Sequence, residues 1–131
     1  MSHYHAVVWL DHHEARVFHF NAEDVERMHV LPDKPHVHLH HHRGSITDGH
    51  AHEDQHYYHR VAEAIADAGE ILVCGPGQAK NELLKHVEAH DGRLRQKILG
   101  VETVDHPSDK QVVAHARKYF LAADRMRPQR G

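Results

Sequence analysis

A lone cysteine, Cys74, excludes an internal disulfide and fits a reducing compartment. Long apolar runs are missing too. No stretch approaches the roughly 20 residues that a membrane span needs, so no membrane partner is expected. The opening Met1-Ser2-His3-Tyr4-His5 has no basic segment and no apolar stretch behind it. A signal peptide is therefore not expected, and the expected location is the cytoplasm. Charge of one sign is also scarce. With every histidine neutral the net charge is -3, too small to declare a nucleic-acid partner by composition alone.

What is abundant is histidine, at 19 of 131 residues. An unperturbed imidazole titrates near pH 6.5, so mild acid would swing the chain positive. The rest is ordinary: 40% hydrophobic and 27% charged residues, as in a soluble globular protein. The length suits one domain, expected over residues 1–124, with a basic, frayed tail over 125–131.

The first thirty residues read as an antiparallel meander. His5–Leu10 and the run Ala15–Phe20 are apolar and β-prone, and Val25–Leu31 alternates. The polar turns Asp11-His12-His13-Glu14 and Asn21-Ala22-Glu23-Asp24 separate them. Pro32 and Pro35 break the pairing. The period becomes helical from His52, with Tyr58, Val61, Ala62, Ile65 and Ala68 as an apolar stripe and Gly69 as a stop. Ile71-Leu72-Val73-Cys74 reads as a strand buried on both faces. Gly75-Pro76-Gly77 turns into a second helix over about 78–89, which Asp91-Gly92 ends. A strand over Ile98–Val104 follows. Ser108 caps a third helix with Val112, Val113, Ala116, Tyr119, Phe120 and Ala123 inward. The order β-β-β-α-β-α-β-α predicts an α/β, ribonuclease H-like three-layer fold with a mixed sheet of about five strands.

Residues 36–52 form an expected histidine-rich loop. His36, His38, His40 and His42 alternate, which puts four imidazoles on one face of an extended segment. His52, His56 and His59 stand at i, i+4 and i+7 on a helix. These seven are candidate ligands for Zn or Ni, because neutral imidazole is a common ligand. Solvated histidines that bind metal only adventitiously are the competing account. The same region could hold RNA: imidazole stacks on bases, and protonated imidazole pairs with phosphate. The candidate RNA contacts are His40, His41, His42, Arg43, His50, His52, His56 and Arg60. Arg43-Gly44-Ser45-Ile46-Thr47-Asp48-Gly49 is expected to be a mobile loop.

Other candidates are thinner. Backbone amides at Gly75 and Gly77, with Lys80, could cradle a phosphate, although such a turn is more often only a turn. A two-metal nuclease would need several carboxylates. Asp11 with Glu53, Asp54 or Glu63 could contribute, but the buried strand ends in Cys74-Gly75 where an acid would be wanted. Asp11 reads better as a turn residue. Cys74 reads as an inert buried thiol, Trp9 as core or subunit interface, and His86 and His90 as solvent-facing. A hairpin edge strand could pair across a homodimer.

The block Ile71-Leu72-Val73-Cys74-Gly75-Pro76-Gly77-Gln78-Ala79-Lys80-Asn81-Glu82-Leu83-Leu84 resembles the strand, Gly-Pro-Gly turn, lysine and amphipathic helix of the archaeo-eukaryotic class-1 release factor and Pelota family. His42-Arg43-Gly44 before a polar helix resembles the loop that precedes the first helix there. Residues 3–123 can be laid along that family's middle domain, and small bacterial single-domain proteins filed as translational machinery components look similar. In release factors this loop carries Gly-Gly-Gln, which serves peptide release. Here residues 43–49 contain no Gly-Gly and no Gln, and the chain's Gly77-Gln78 follows the buried strand. Pelota-type members share that loss. The flanking domains that read the codon and recruit partners are not expected in this chain. The resemblance therefore implies a non-catalytic protein that binds the ribosome or structured RNA, with a His-rich metal-binding protein and a divalent-metal nuclease as the alternatives.

Overall fold

The computed structural model describes residues 4–32 and 46–126, with side chains for 4–32 and 55–124. Among the described residues five strands form one mixed sheet. The elements are β1 (His5–Leu10), β2 (Ala15–Phe20), β3 (Val25–Val30), α1 (Ile46–Ile65), β4 (Glu70–Gly75), α2 (Ala79–His90), α3 (Gly92–Lys97), β5 (Ile98–Thr103) and α4 (Asp109–Met126). The sheet order is β3-β2-β1-β4-β5. β1 pairs antiparallel with β2, and β2 with β3. β4 runs parallel to β1, and β5 parallel to β4. This is the three-layer α/β arrangement expected from the order of elements.

The meander forms because its turns are chemically specified. The Asp11 carboxylate accepts from the amides of His13 and Glu14, and Asn21 does the same for Glu23 and Asp24. Both turns are closed by Asx geometry, which fixes the hairpin register.

The pleat divides the core in two. Ala6, Val8, Leu10, Val17, Ile71 and Val73 face one side, where Tyr57, Tyr58, Val61 and Ile65 of α1 and Leu83 and Val87 of α2 pack on them. Val7, Trp9, Phe18, Phe20, Leu72 and Cys74 face the other, against Val112, Ala116 and Phe120 of α4. Each large side chain buried in this way contributes about 1.5–3 kcal/mol. β4 is buried along its whole length, as its uninterrupted apolar run requires. His19 is also buried, and its Nε2 donates to the carbonyl of Ala64, 2.6 Å away, tying β2 to the end of α1. Trp9 is core.

Ion pairs bind the meander to the opposite layer. Asp109, at the start of α4, receives Arg16 at 2.8 Å and Arg27 at 2.6 Å. The Arg16 hydrogen bond, ahead of that from Arg27, holds the Asp109 carboxyl below its ordinary range against the opposing effect of burial. Ser108 and Gln111 form a reciprocal capping box before α4.

Three boundaries differ from expectation. α1 begins at Ile46 rather than at His52, so the expected mobile loop over 43–49 is helical from residue 46 onward. An interior glycine such as Gly49 costs a helix only about 1 kcal/mol, which tertiary packing further along α1 offsets. At its other end α1 stops at Ile65; Gly69 serves β4 instead, donating its amide to the carbonyl of Tyr4. α3 was not expected, because Asp91-Gly92 read only as a stop. Asp91 ends α2 and also caps α3, its carboxylate accepting from the Leu94 amide. No helix among the described residues is long and apolar enough to cross a membrane.

Candidate functional site

The apolar stripe of α1 determines what its other faces can offer. Tyr57, Tyr58, Val61, Ala62 and Ile65 turn to the sheet, which leaves Gln55, His56, His59 and Glu63 on the outward faces. Of the expected RNA contacts, His56 and Arg60 are in view. His56 is exposed. Arg60 donates to the Leu31 carbonyl at 2.6 Å, which pins the end of the meander to α1. His50 and His52 lie on the α1 backbone, but their side chains fall outside the described residues, as do His36, His38, His40, His41, His42 and Arg43 entirely. Of the seven expected metal ligands, only His56 and His59 can be placed. His59 sits 3.4 Å from the Glu63 carboxylate, one turn along.

The α1–α2 seam brings His59 of α1 to the His86 and His90 pair of α2. His86 is 7% exposed, not solvent-facing. Its Nδ1 donates to Gln55 Oε1 at 2.7 Å, and its Nε2 is buried without a hydrogen-bond partner. The His90 ring centre lies 4.4 Å from that of His86, and the His59 ring centre 5.8 Å. Desolvation, then the neighbouring His90 and His59, lower the His86 pKa. A signal for this burial was present: His86 follows the core residue Leu83 by three positions and immediately precedes the core residue Val87.

At the carboxyl ends of β1 and β4 the groups are engaged in structure. Tyr57 donates to the Asp11 carbonyl at 2.9 Å and Tyr58 to the Glu82 carboxylate at 2.8 Å, so α1 is pinned to the first turn and to α2. Asp11 is a turn residue, as expected. Glu63 is exposed beside His59, while Glu53 and Asp54 have side chains outside the described residues. Among the described residues no three His, Cys, Asp or Glu side chains stand in metal-binding geometry, so no nuclease carboxylate set is assembled there.

The Gly75-Pro76-Gly77 turn divides into parts with separate causes. A Cβ on Gly75 would strike the Leu10 carbonyl oxygen, whereas one on Gly77 would meet nothing within 4 Å. Gly75 is thus a packing glycine. Lys80 is buried, and its ammonium donates to the Gly77 carbonyl within the turn. That bond directs the lysine at the turn's own backbone rather than outward toward a phosphate.

Cys74 is buried, and its pKa is pushed up to about 12, chiefly by desolvation and secondarily by Glu102. At pH 8 roughly one thiol in ten thousand would be ionised. The folded protein should therefore resist iodoacetamide at pH 8 and react within minutes once unfolded in urea, with mass spectrometry as the readout. Fast labelling of the native chain would contradict the burial.

No protein-family model matches the chain, and no curated protein matches it. Solved structures do. Pelota from Archaeoglobus fulgidus superposes with a TM-score of 0.64 at 13% identity, covering 91% of this chain and 32% of that one. The archaeal translation termination factor aRF1 gives 0.60 at 16% identity, over 93% and 38%. Dom34 of S. cerevisiae, a translation termination-like factor, gives 0.58 at 14%, over 92% and 34%. The chain has the fold of the Pelota and aRF1 middle domain. It spans about a third of the length of those proteins. At these identities the likeness carries the release-factor-type fold and no activity.

Proposed function

We propose that this chain is a non-catalytic, ribosome- or RNA-associated domain of the translation machinery. The carrying observation is the superposition over about nine-tenths of its length on Pelota, on aRF1, a translation termination factor, and on Dom34, a translation termination-like factor involved in RNA quality control. The absence of Gly-Gly-Gln in residues 43–49 separates it from peptide release. Residues 36–60 supply the binding groups in this reading: His40, His41, His42, Arg43, His50, His52, His56 and Arg60, the last sharing its guanidinium with the Leu31 carbonyl. Arginine fixes phosphate, and imidazole stacks on unpaired bases or, once protonated, joins the phosphate contacts.

The test is co-sedimentation of untagged protein with ribosomes and free subunits. If about three phosphates are neutralised, affinity should fall roughly 20- to 40-fold between 50 and 200 mM salt. Protonation of histidines at the contact should tighten binding at pH 6 relative to pH 7.5. Arg43→Ala should weaken binding and flatten the salt slope. Absence of saturable binding under every condition would overturn the proposal.

A further inference from the structure

The seam between α1 and α2 carries an arrangement that ribosome binding does not use. We infer that His86, His90 and His59 form a transition-metal site, with Zn2+ as the cation. Burying an imidazole nitrogen without a partner is costly, and His86 Nε2 is such an atom. With Nδ1 protonated toward Gln55 Oε1, Nε2 keeps its lone pair. An acceptor on the far nitrogen fixes the tautomer and orients the ring of a metal-bound histidine. The two candidate co-ligands are neighbours by construction of the fold. His90 stands one turn after His86 on α2, and His59 comes across from α1.

Spacing agrees with the chemistry. Two imidazoles on one tetrahedral ion, each with a metal–nitrogen bond of about 2.0–2.1 Å, hold their ring centres about 5 Å apart. The observed separations from His86, 4.4 Å to His90 and 5.8 Å to His59, bracket that value. As they stand the three rings do not form a metal-holding arrangement, so the site requires His59 and His90 to reorient toward His86 Nε2. His59 and His90 are exposed, so their side chains have room to turn, His59 by leaving the Glu63 carboxylate, while the buried His86 is already held by Gln55. Glu63, beside His59, is within reach as a fourth donor. A site with three imidazoles suits Zn2+ better than the oxygen-seeking Mg2+ or Ca2+.

The alternating tract His36, His38, His40 and His42 would bind metal as well, so the test must remove it first. Untagged full-length chain carrying His→Ser at those four positions would be titrated with Zn2+ by calorimetry, and with Co2+ followed by its visible absorption. The expected result is one Zn2+ per chain and a Co2+ spectrum of tetrahedral type. In that background His90→Ala and His59→Ala, both on exposed surface, should each weaken Zn2+ binding at least about tenfold, and Gln55→Ala about tenfold through loss of ring orientation. His86→Gln should abolish stoichiometric uptake. If that variant fails to fold, the two surface variants decide the matter. Loss of all Zn2+ uptake with the tract histidines, or unchanged affinity in both His90→Ala and His59→Ala, would overturn the site.

Discussion

Gly75→Ala is expected to lower the melting temperature by about 10 °C, because one methyl group has no place to go. The position where its Cβ would sit is already occupied by the carbonyl oxygen of Leu10, a backbone atom of the neighbouring strand. A flexible side chain could swing aside, but a paired strand cannot. Gly75 is itself held from the other side, paired with Thr103 of β5 and accepting a 3.0 Å hydrogen bond from the Val104 amide. Relief therefore requires the carboxyl ends of β1 and β4 to part, in the buried middle of the sheet. Overpacking of this kind costs about 1–3 kcal/mol, and a backbone clash belongs at the upper end. No positive φ is involved, so asparagine should be no better than alanine. Gly77→Ala, two residues away in open space, is the matched control and should leave the melting temperature within about 2 °C. Equal losses at both positions would show that the turn, and not the strand contact, demands glycine.

The contrast between those glycines marks how far the sequence could be read. Gly75-Pro76-Gly77 announces a turn, but nothing local distinguishes the glycine forced by a strand from the one that is free. That information belongs to β1, sixty-five residues earlier. Where structure was local it was legible. Asp11 and Asn21 close their own turns, and β1 and β2 occupy the residues that the β-rich runs indicated. The apolar stripe from Tyr58 to Ile65 is buried as its helical period required. Two kinds of feature escaped. α3 is one and a half turns long, too short to show a period, and rests on the Asp91 cap and on one buried side chain, Leu94. His86 escaped because an imidazole reads as solvated even where helical spacing sets it on the same face as Leu83 and Val87.

The candidate site divides between local and tertiary features in the same way. His56, His59 and Arg60 were correctly assigned to one helix, since period and stripe fix their faces. Arg60 nevertheless spends a hydrogen bond on Leu31, a tertiary partner twenty-nine residues away that no spacing rule reports. Lys80 likewise turns inward to Gly77. A charged residue near a loop reads as available for a ligand until the fold shows what already engages it.

Trp9→Ala should be the most damaging single truncation on the α4 face, costing about 3–5 kcal/mol. The indole is fully buried on β1, paired with Cys74 across the sheet and packed under α4. Its Nε1 donates to the Asp105 carbonyl at 2.6 Å, and the Arg16 guanidinium lies 4.4 Å from the ring centre. Arg16 then reaches the Pro107 carbonyl and the Asp109 carboxylate. One ring thus fastens residues 104–109, the chain's route into α4, both directly and through Arg16. Trp9→Phe separates the terms. It keeps most of the apolar area but removes the hydrogen bond, worth about 0.5–1.5 kcal/mol, and weakens the cation–π contact, worth about 0.5–2 kcal/mol. A loss of about 1–2 kcal/mol is therefore expected, less than half that of alanine, measured by urea denaturation. The functional consequence follows from the layer in which Trp9 lies. It is on the face opposite α1, so the folded Trp9→Phe protein should co-sediment with ribosomes as the parent does. A Trp9→Phe chain that is as stable as the parent yet no longer binds would place the contact surface on α4 and remove residues 36–60 from the interface.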